Sequence, residues 1–368
     1  MIELPPLLPI VVRYLGFVSL TMLIGSFAFV CLILPPGLLS REGYRILERH
    51  LRQVQAGSIL ITALASGADL ILRTLAMSGG TATLGAALPL VLWHTHFGMV
   101  WNVRFLLLGL LAVAWWLRLP GITASPLFAW ASFMSACFVA LTTTLSGHAA
   151  DWGDLSIPAM VDWLHLLAVS IWIGGLFTFS FLLKRSLAMA GMEEIARALS
   201  PIGRLFSRIA IGCVAVFLLT GLYNSRLQVG ALSFVVASVY GWILLTKLAL
   251  VALALTIAAI NRFYLLTQLR PGAARRIQLG FQASRDLINS PQAAGETGDD
   301  RQVRYRLSQF VRAEWIVVMI VLACSALLTQ LPPARHVMHI KHLKSHENNG
   351  SHPPAHDMSM SMPPLTQR

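Results

Sequence analysis

Eight times along this chain an apolar stretch of bilayer-crossing length recurs, at roughly residues 10–34, 53–77, 98–119, 125–147, 158–183, 204–225, 238–263 and 311–331. About 20 mainly apolar residues in helical geometry cross a hydrocarbon layer. In lipid the backbone has to satisfy its own hydrogen bonds, so each stretch has to be a helix. The pattern predicts an all-α fold: a polytopic helical membrane protein with about eight transmembrane helices. The composition agrees, with 56% hydrophobic and 12% charged residues, about half the charged share of a soluble domain. The stretch 82–93 is apolar but too short to span, and reads as a re-entrant or interfacial piece.

The formal net charge of +12 could point to nucleic acid, but the basic residues lie in short runs between the apolar stretches, and no basic module with interleaved aromatics is present. Nucleic acid is therefore excluded as a partner, and the bilayer itself explains the pattern. Most of the 28 Lys and Arg fall on one side: Arg41, Arg45, Arg49, Arg52, Arg118, Lys184, Arg185, Arg197, Arg204, Arg208 and the run from Arg262 to Arg312. That side is expected to be cytoplasmic. With eight spans both termini then face outward, together with the loop 148–157, which carries Asp151 and Asp154. The first apolar stretch is followed by Pro35 and Pro36 and not by a small-residue cleavage site, so it reads as a retained span. Cys31, Cys137, Cys213 and Cys324 lie in four different stretches without CxxC spacing and read as small buried hydrophobes. The organisation expected is a membrane domain over 1–333, with a polar cytoplasmic loop at 264–310, and an outward-facing tail over 334–368 that is disordered without a ligand.

Within this apolar body a few polar residues stand out. Asp69, Arg73, Arg104, Asp162, His165 and Lys247 fall in the outer half of their spans, and His94, His96 and His148 at the outer boundary. Around His165, the residues Asp162, His165, Val169 and Trp172 share one helix face. A charged group in hydrocarbon costs several kcal/mol unless it pairs or lines a wet cavity. The expectation is one outward-facing polar cavity in which His94, His96, His148 and His165 offer a metal site, supported by Asp69, Arg104, Asp162, Trp172 and Lys247. The competing reading for the Asp and Arg residues is a set of helix-joining ion pairs, such as Asp69 with Arg73 or Arg104.

The tail holds His336, Met338, His339, His342, His346, His352 and His356, then Met358, Met360 and Met362 alternating with serines. Methionines in a polar, Pro-bounded segment have no core to fill. Thioether sulfur selects Cu(I) and imidazole suits Cu(II), so the tail reads as a copper-binding segment and copper, Cu(I) or Cu(II), as the metal.

No Walker, GxSxG, HExxH or dinucleotide-binding glycine pattern occurs, and the chain reads as a protein other than an enzyme. SGHA at 146–149, VDWLHLLAVSIWIGGL at 161–176, RIAIGCVAVFLLTGLYN at 208–224, YGWILLTKLALVALALTIAAINR at 240–262 and RAEWIVVMIVLACSALLTQLPP at 312–333 together resemble the copper resistance protein D (CopD) family. The resemblance implies a bacterial inner-membrane protein that moves periplasmic copper toward the cytoplasm, with a CopC-like periplasmic copper-binding partner. It singles out His148, His165, Trp172, Lys247 and Asn261. The His/Met-rich tail is outside the family pattern and puts copper capture in this chain. Two alternatives stand beside copper transport. Histidines on neighbouring helices could hold a b-type haem in an electron carrier, or the spans could only anchor a copper-sequestering tail.

Overall fold

The computed structural model describes residues 6–332 apart from 36, 79–82, 118–124, 148–151, 184, 187–191, 231–234, 237 and 269–297. His148 and the tail residues His336, Met338, His339, His342, His346, His352, His356, Met358, Met360 and Met362 lie outside the described residues, as does the side chain of Asn261. The described elements are helical. α1 is Leu7–Ala28, α2 Arg41–Ser78, α3 Leu84–His94, α4 His96–Trp116, α5 Pro126–Thr144, α6 Ile157–Phe177, α7 Met192–Val229, α8 Val239–Gln268 and α9 Gly298–Leu328. α1 runs on into a π-helical turn at Phe29–Ile33, and α6 into one at Thr178–Leu183.

Local chemistry sets several of these starts. Thr95 caps α4 by accepting the Gly98 N–H, and Ser156 caps α6 by accepting the Ala159 N–H. Pro126 and Pro158 stand in the first turns of α5 and α6, where a missing N–H costs nothing. Seven of the helices are long and apolar enough to cross a membrane; the eighth expected span corresponds to α9, whose described apolar part, Ala313–Leu328, is shorter. The piece at 82–93 is the short apolar helix α3, packed on α2 and α4. The polar loop expected at 264–310 is narrower than its composition suggests, because α8 continues to Gln268 and α9 starts at Gly298. The protein is an all-α polytopic membrane protein.

Burial runs inside out relative to a soluble protein. Leu60, Leu64, Leu106, Leu110, Leu219, Leu222 and Ile316 are exposed around the bundle, a belt that suits acyl chains and not water. The centre belongs to α1 and α6: the apolar windows of these two spans are 61% and 56% buried, against 11% for α8. They cross backbone to backbone. A Cβ on Gly174 would fall 2.7 Å from Gly25 Cα and run into the Thr21 carbonyl, so only glycine permits this approach.

The order of elements repeats across that crossing. α1, its π-helical turn, α2, α4 and α5 are followed by α6, its π-helical turn, α7, α8 and α9. α2 and α7 are each 38 residues long. α4 and α8 start alike: Thr95 Oγ1 accepts the Gly98 N–H and Ser238 Oγ the Gly241 N–H, at 3.0 and 3.1 Å. In both places a Cβ on the glycine would run into a backbone carbonyl, of Val91 or of Val235. α1 packs on α2 as α6 packs on α7, and α1 on α9 as α6 on α5. Four membrane crossings return a chain to its starting side, so the two halves run through the bundle in the same sense, the arrangement of parallel repeats; α3 has no counterpart among the described residues of the second half.

Candidate functional site

The polar residues read from the spans lie at one end of the bundle, the end where α1 and α6 begin. They form two clusters, one in each half, with the end of α5 between them. In the first half, Asp69 of α2 faces Arg13 of α1 at 3.9 Å and Arg73 at 3.3 Å, both through the same oxygen, Oδ2. Arg104 of α4 is buried and donates to Thr142 Oγ1 at 3.0 Å, to the Thr142 carbonyl at 2.6 Å and to Ser146 Oγ at 2.7 Å. Arg73 donates to the Ser146 carbonyl and stacks over the Phe97 ring. The ion pair of Asp69 with Arg73 is therefore present, while Arg104 spends its donors on α5. Arg13 reads in the sequence as one more scattered basic residue, although a lone cation within an apolar helix is itself a signal of a polar site.

In the second half, Asp162 accepts from Asn224 Nδ2 of α7 at 3.0 Å. Lys247 of α8 lies within electrostatic range of Asp162, of His165 and of Cys324 on α9. Thr144 of α5 lies near Asp162, and its buried hydroxyl makes no hydrogen bond among the described residues. The imidazole of His165 is held against α7. Its Nδ1 lies 3.0 Å from Thr220 Oγ1 and 3.1 Å from the Phe217 carbonyl. The Thr220 hydroxyl donates to the Val216 carbonyl at 2.7 Å, so it accepts from the ring, and the Phe217 carbonyl can only accept. The proton therefore belongs on Nδ1. Nε2 has no hydrogen-bond partner among the described residues, so its lone pair is free to accept a proton or a metal ion. Gly221 makes room for the ring: a Cβ there would fall 3.1 Å from His165 Cε1. Thr220, Gly221 and Asn224 fall within the family-like stretch 208–224, but nothing in the sequence singles them out as partners of His165 and Asp162, since neutral and small residues on a helix look like ordinary packing. Cys324, read as a small hydrophobe, stands beside Lys247.

Beneath His165 the environment turns apolar and soft. Trp172 is buried and stacks on Phe217 at 5.3 Å. Met22, Cys213 and Met319 pack on the same cluster, from α1, α7 and α9. His94 and His96 are exposed at the rim, where His96 Nε2 meets Asp154 Oδ2 at 2.8 Å. Among the described residues no three His, Cys, Asp or Glu side chains converge on one point as a preformed metal centre would require.

Comparison with known proteins bears on the metal. Residues 1–157 match the model of the copper resistance protein D-like N-terminal domain, and residues 200–328 match that of copper resistance protein D. The two matches fall on the two halves of the bundle. The copper transport protein CutJ of Bacillus subtilis is 26% identical over 293 residues, which are 78% of this chain and 47% of that protein. This chain thus spans about half the length of the Bacillus relative. Copper resistance protein D of Pseudomonas syringae pv. tomato is 32% identical over 273 residues, 70% of this chain and 82% of that protein. No solved structure matches. None of these names speaks for haem, and the haem reading has no support. A multi-pass helical bundle, family models on both halves and a relative matched over most of its length make one assignment: the chain belongs to the copper resistance protein D family.

Proposed function

We propose that the protein captures copper on the periplasmic face of the bacterial inner membrane and passes it through the second half of the bundle toward the cytoplasm. The observation that carries this reading is His165, with Nδ1 committed to α7 and Nε2 free inside an apolar helix. A ligating histidine is typically held in this way through its other nitrogen. The tail over 334–368 scavenges copper with His336, Met338, His339, His342, His346, His352, His356, Met358, Met360 and Met362. His94, His96 and His148 act as successive stations and not as a fixed four-nitrogen centre, and His165 receives the ion within the bundle. Asp162 supplies countercharge to a bound cation, and Lys247 balances that carboxylate when the site is empty. Trp172 closes the apolar side of the site. Met22, Cys213 and Met319 continue the route with thioether and thiol donors, which hold Cu(I). Asp69 and Arg104 belong to the supporting scaffold of the first half. The membrane domain over 1–333 carries the ion and the tail loads it, so a CopC-like partner adds to capture and is not required for it. Both termini face the periplasm in this reading, because the basic ends of the helices face the cytoplasm.

The deciding measurement is copper bound per chain, with a visible spectrum, on purified protein lacking residues 334–368, with and without His165→Ala. Copper retained by the truncated protein and lost on His165→Ala is the expected result. Equal copper in both would remove His165 from the path. A Soret band would return the haem reading.

A further inference from the structure

The two halves carry corresponding residues at their polar ends, and the correspondence shows what each end is built for. Counted back from the crossing glycines, Arg13 of α1 stands where Asp162 stands in α6, and Gly16 where His165 stands. Asp69 and Arg73 occupy the places in α2 that Thr220 and Asn224 occupy in α7, counted from either end of these equally long helices. Arg104 and Lys247 occupy the same place in α4 and α8. The second half therefore combines an imidazole with one carboxylate and one ammonium. The first half combines three guanidiniums with one carboxylate and puts a hydrogen atom where the imidazole would be.

That missing ring is a cavity. It measures about 30 Å³; its polar lining comes from Arg13, Thr62, Ser66, Asp69, Arg104 and Thr143, and the rest, Gly16 included, is apolar. Space of this size takes about two water-sized particles. Its electrostatics are one-sided. Arg13, Arg73, Asp69 and Arg104 lie within range of one another, and three cations face one anion. Among the described residues, Arg104 and Arg73 have neutral acceptors on α5 and the turn that follows it, but Arg13 does not. Its side chain is only 10% exposed, and among the described residues its single ionic contact is the loose one at 3.9 Å and its buried Nε has no hydrogen-bond partner. Asp69 Oδ2, shared by two cations, also lacks a hydrogen bond and brings one negative charge to the cavity, which opposes an anion but leaves the three guanidiniums in excess. Unmatched positive charge at membrane depth is costly, and a small anion at the cavity would relieve it. Such a site repels copper ions, so it has a different ligand from its counterpart.

We propose that the cavity among α1, α2 and α4 is a binding site for one small inorganic anion of the halide class, held between Arg13 and Arg104. The site does not depend on the copper reading, and its test uses no copper. Full-length protein is purified in detergent with all chloride replaced by gluconate, and chloride or bromide is then titrated at constant ionic strength while the thermal unfolding midpoint is followed. A midpoint that rises and saturates with halide is expected, because a ligand of the folded state stabilises it. Arg13→Gln removes the loosely paired cation and should flatten the titration. Gly16→Val fills the cavity without touching a charge and should flatten it too; a Cβ at Gly16 meets only Ala65 Cβ, at ordinary contact distance. A wild-type midpoint indifferent to halide would overturn the proposal. So would a response surviving both substitutions unchanged. If either variant fails to fold, the wild-type titration and the other variant still decide.

Discussion

At the scale of single residues, the second cluster depends on a residue without a side chain. Gly221 lets the His165 ring lie against α7, where Thr220 and the Phe217 carbonyl fix its tautomer. Gly221→Val would push the ring away from both acceptors while leaving every metal-binding group in the chain. Copper bound by the tail-less protein should then fall nearly as far as in His165→Ala, with the unfolding midpoint little changed. Copper retention at the wild-type level would mean that the ring's anchoring is not what makes Nε2 a ligand. His165 and Asp162 were legible in the sequence because a charge or an imidazole inside an apolar run is expensive and visible. Their partners Thr220, Asn224 and Gly221 were not, since a helix periodicity assigns a face to each residue but not the helix it meets.

At the scale of elements, the crossing of α1 and α6 rests on backbone contact. Gly25 and Gly174 meet with no side chain between them, and each helix then loosens into a π-helical turn before leaving the bundle. Gly174→Leu would have to drive the two central helices apart. Overpacking of this kind costs about 1–3 kcal/mol, read as a lower midpoint in denaturant-detergent unfolding. An unchanged midpoint would show that the helices separate freely there. Gly174 and Gly175 are adjacent glycines in an apolar run, a pattern that permits close helix approach, whereas Gly25 is a single glycine in such a run and reads as nothing in particular. The spans themselves were legible from length and polarity. The helical extensions of α8 to Gln268 and of α9 back to Gly298 were not, because polar helix and polar loop have similar composition.

For the whole molecule, the packed bundle and the His/Met-rich tail should be separable. Deleting 334–368 removes no residue of the four apolar clusters of the bundle. The truncated protein should therefore unfold at the midpoint of the full chain while binding fewer copper ions, as read by melting and metal analysis on the same samples. A lowered midpoint would mean that the tail packs on the bundle. The repeat was hidden in the sequence for a physical reason. The halves share geometry at the glycines and caps, where backbone approaches backbone, and differ at the polar positions, where their chemistry has diverged.

The glycine crossing also acts as a datum. His165 and Gly16 lie equally far from it, about 13 Å along their helices at 1.5 Å per residue, and no rotamer intervenes in either measurement. One residue inserted on that path would turn its site by about 100° and carry it out of register with the neighbouring helices. Between Gly16 and Gly25, and between His165 and Gly174, the chain can change in letters but not in count. The tail, which measures no such distance, is free to vary in both.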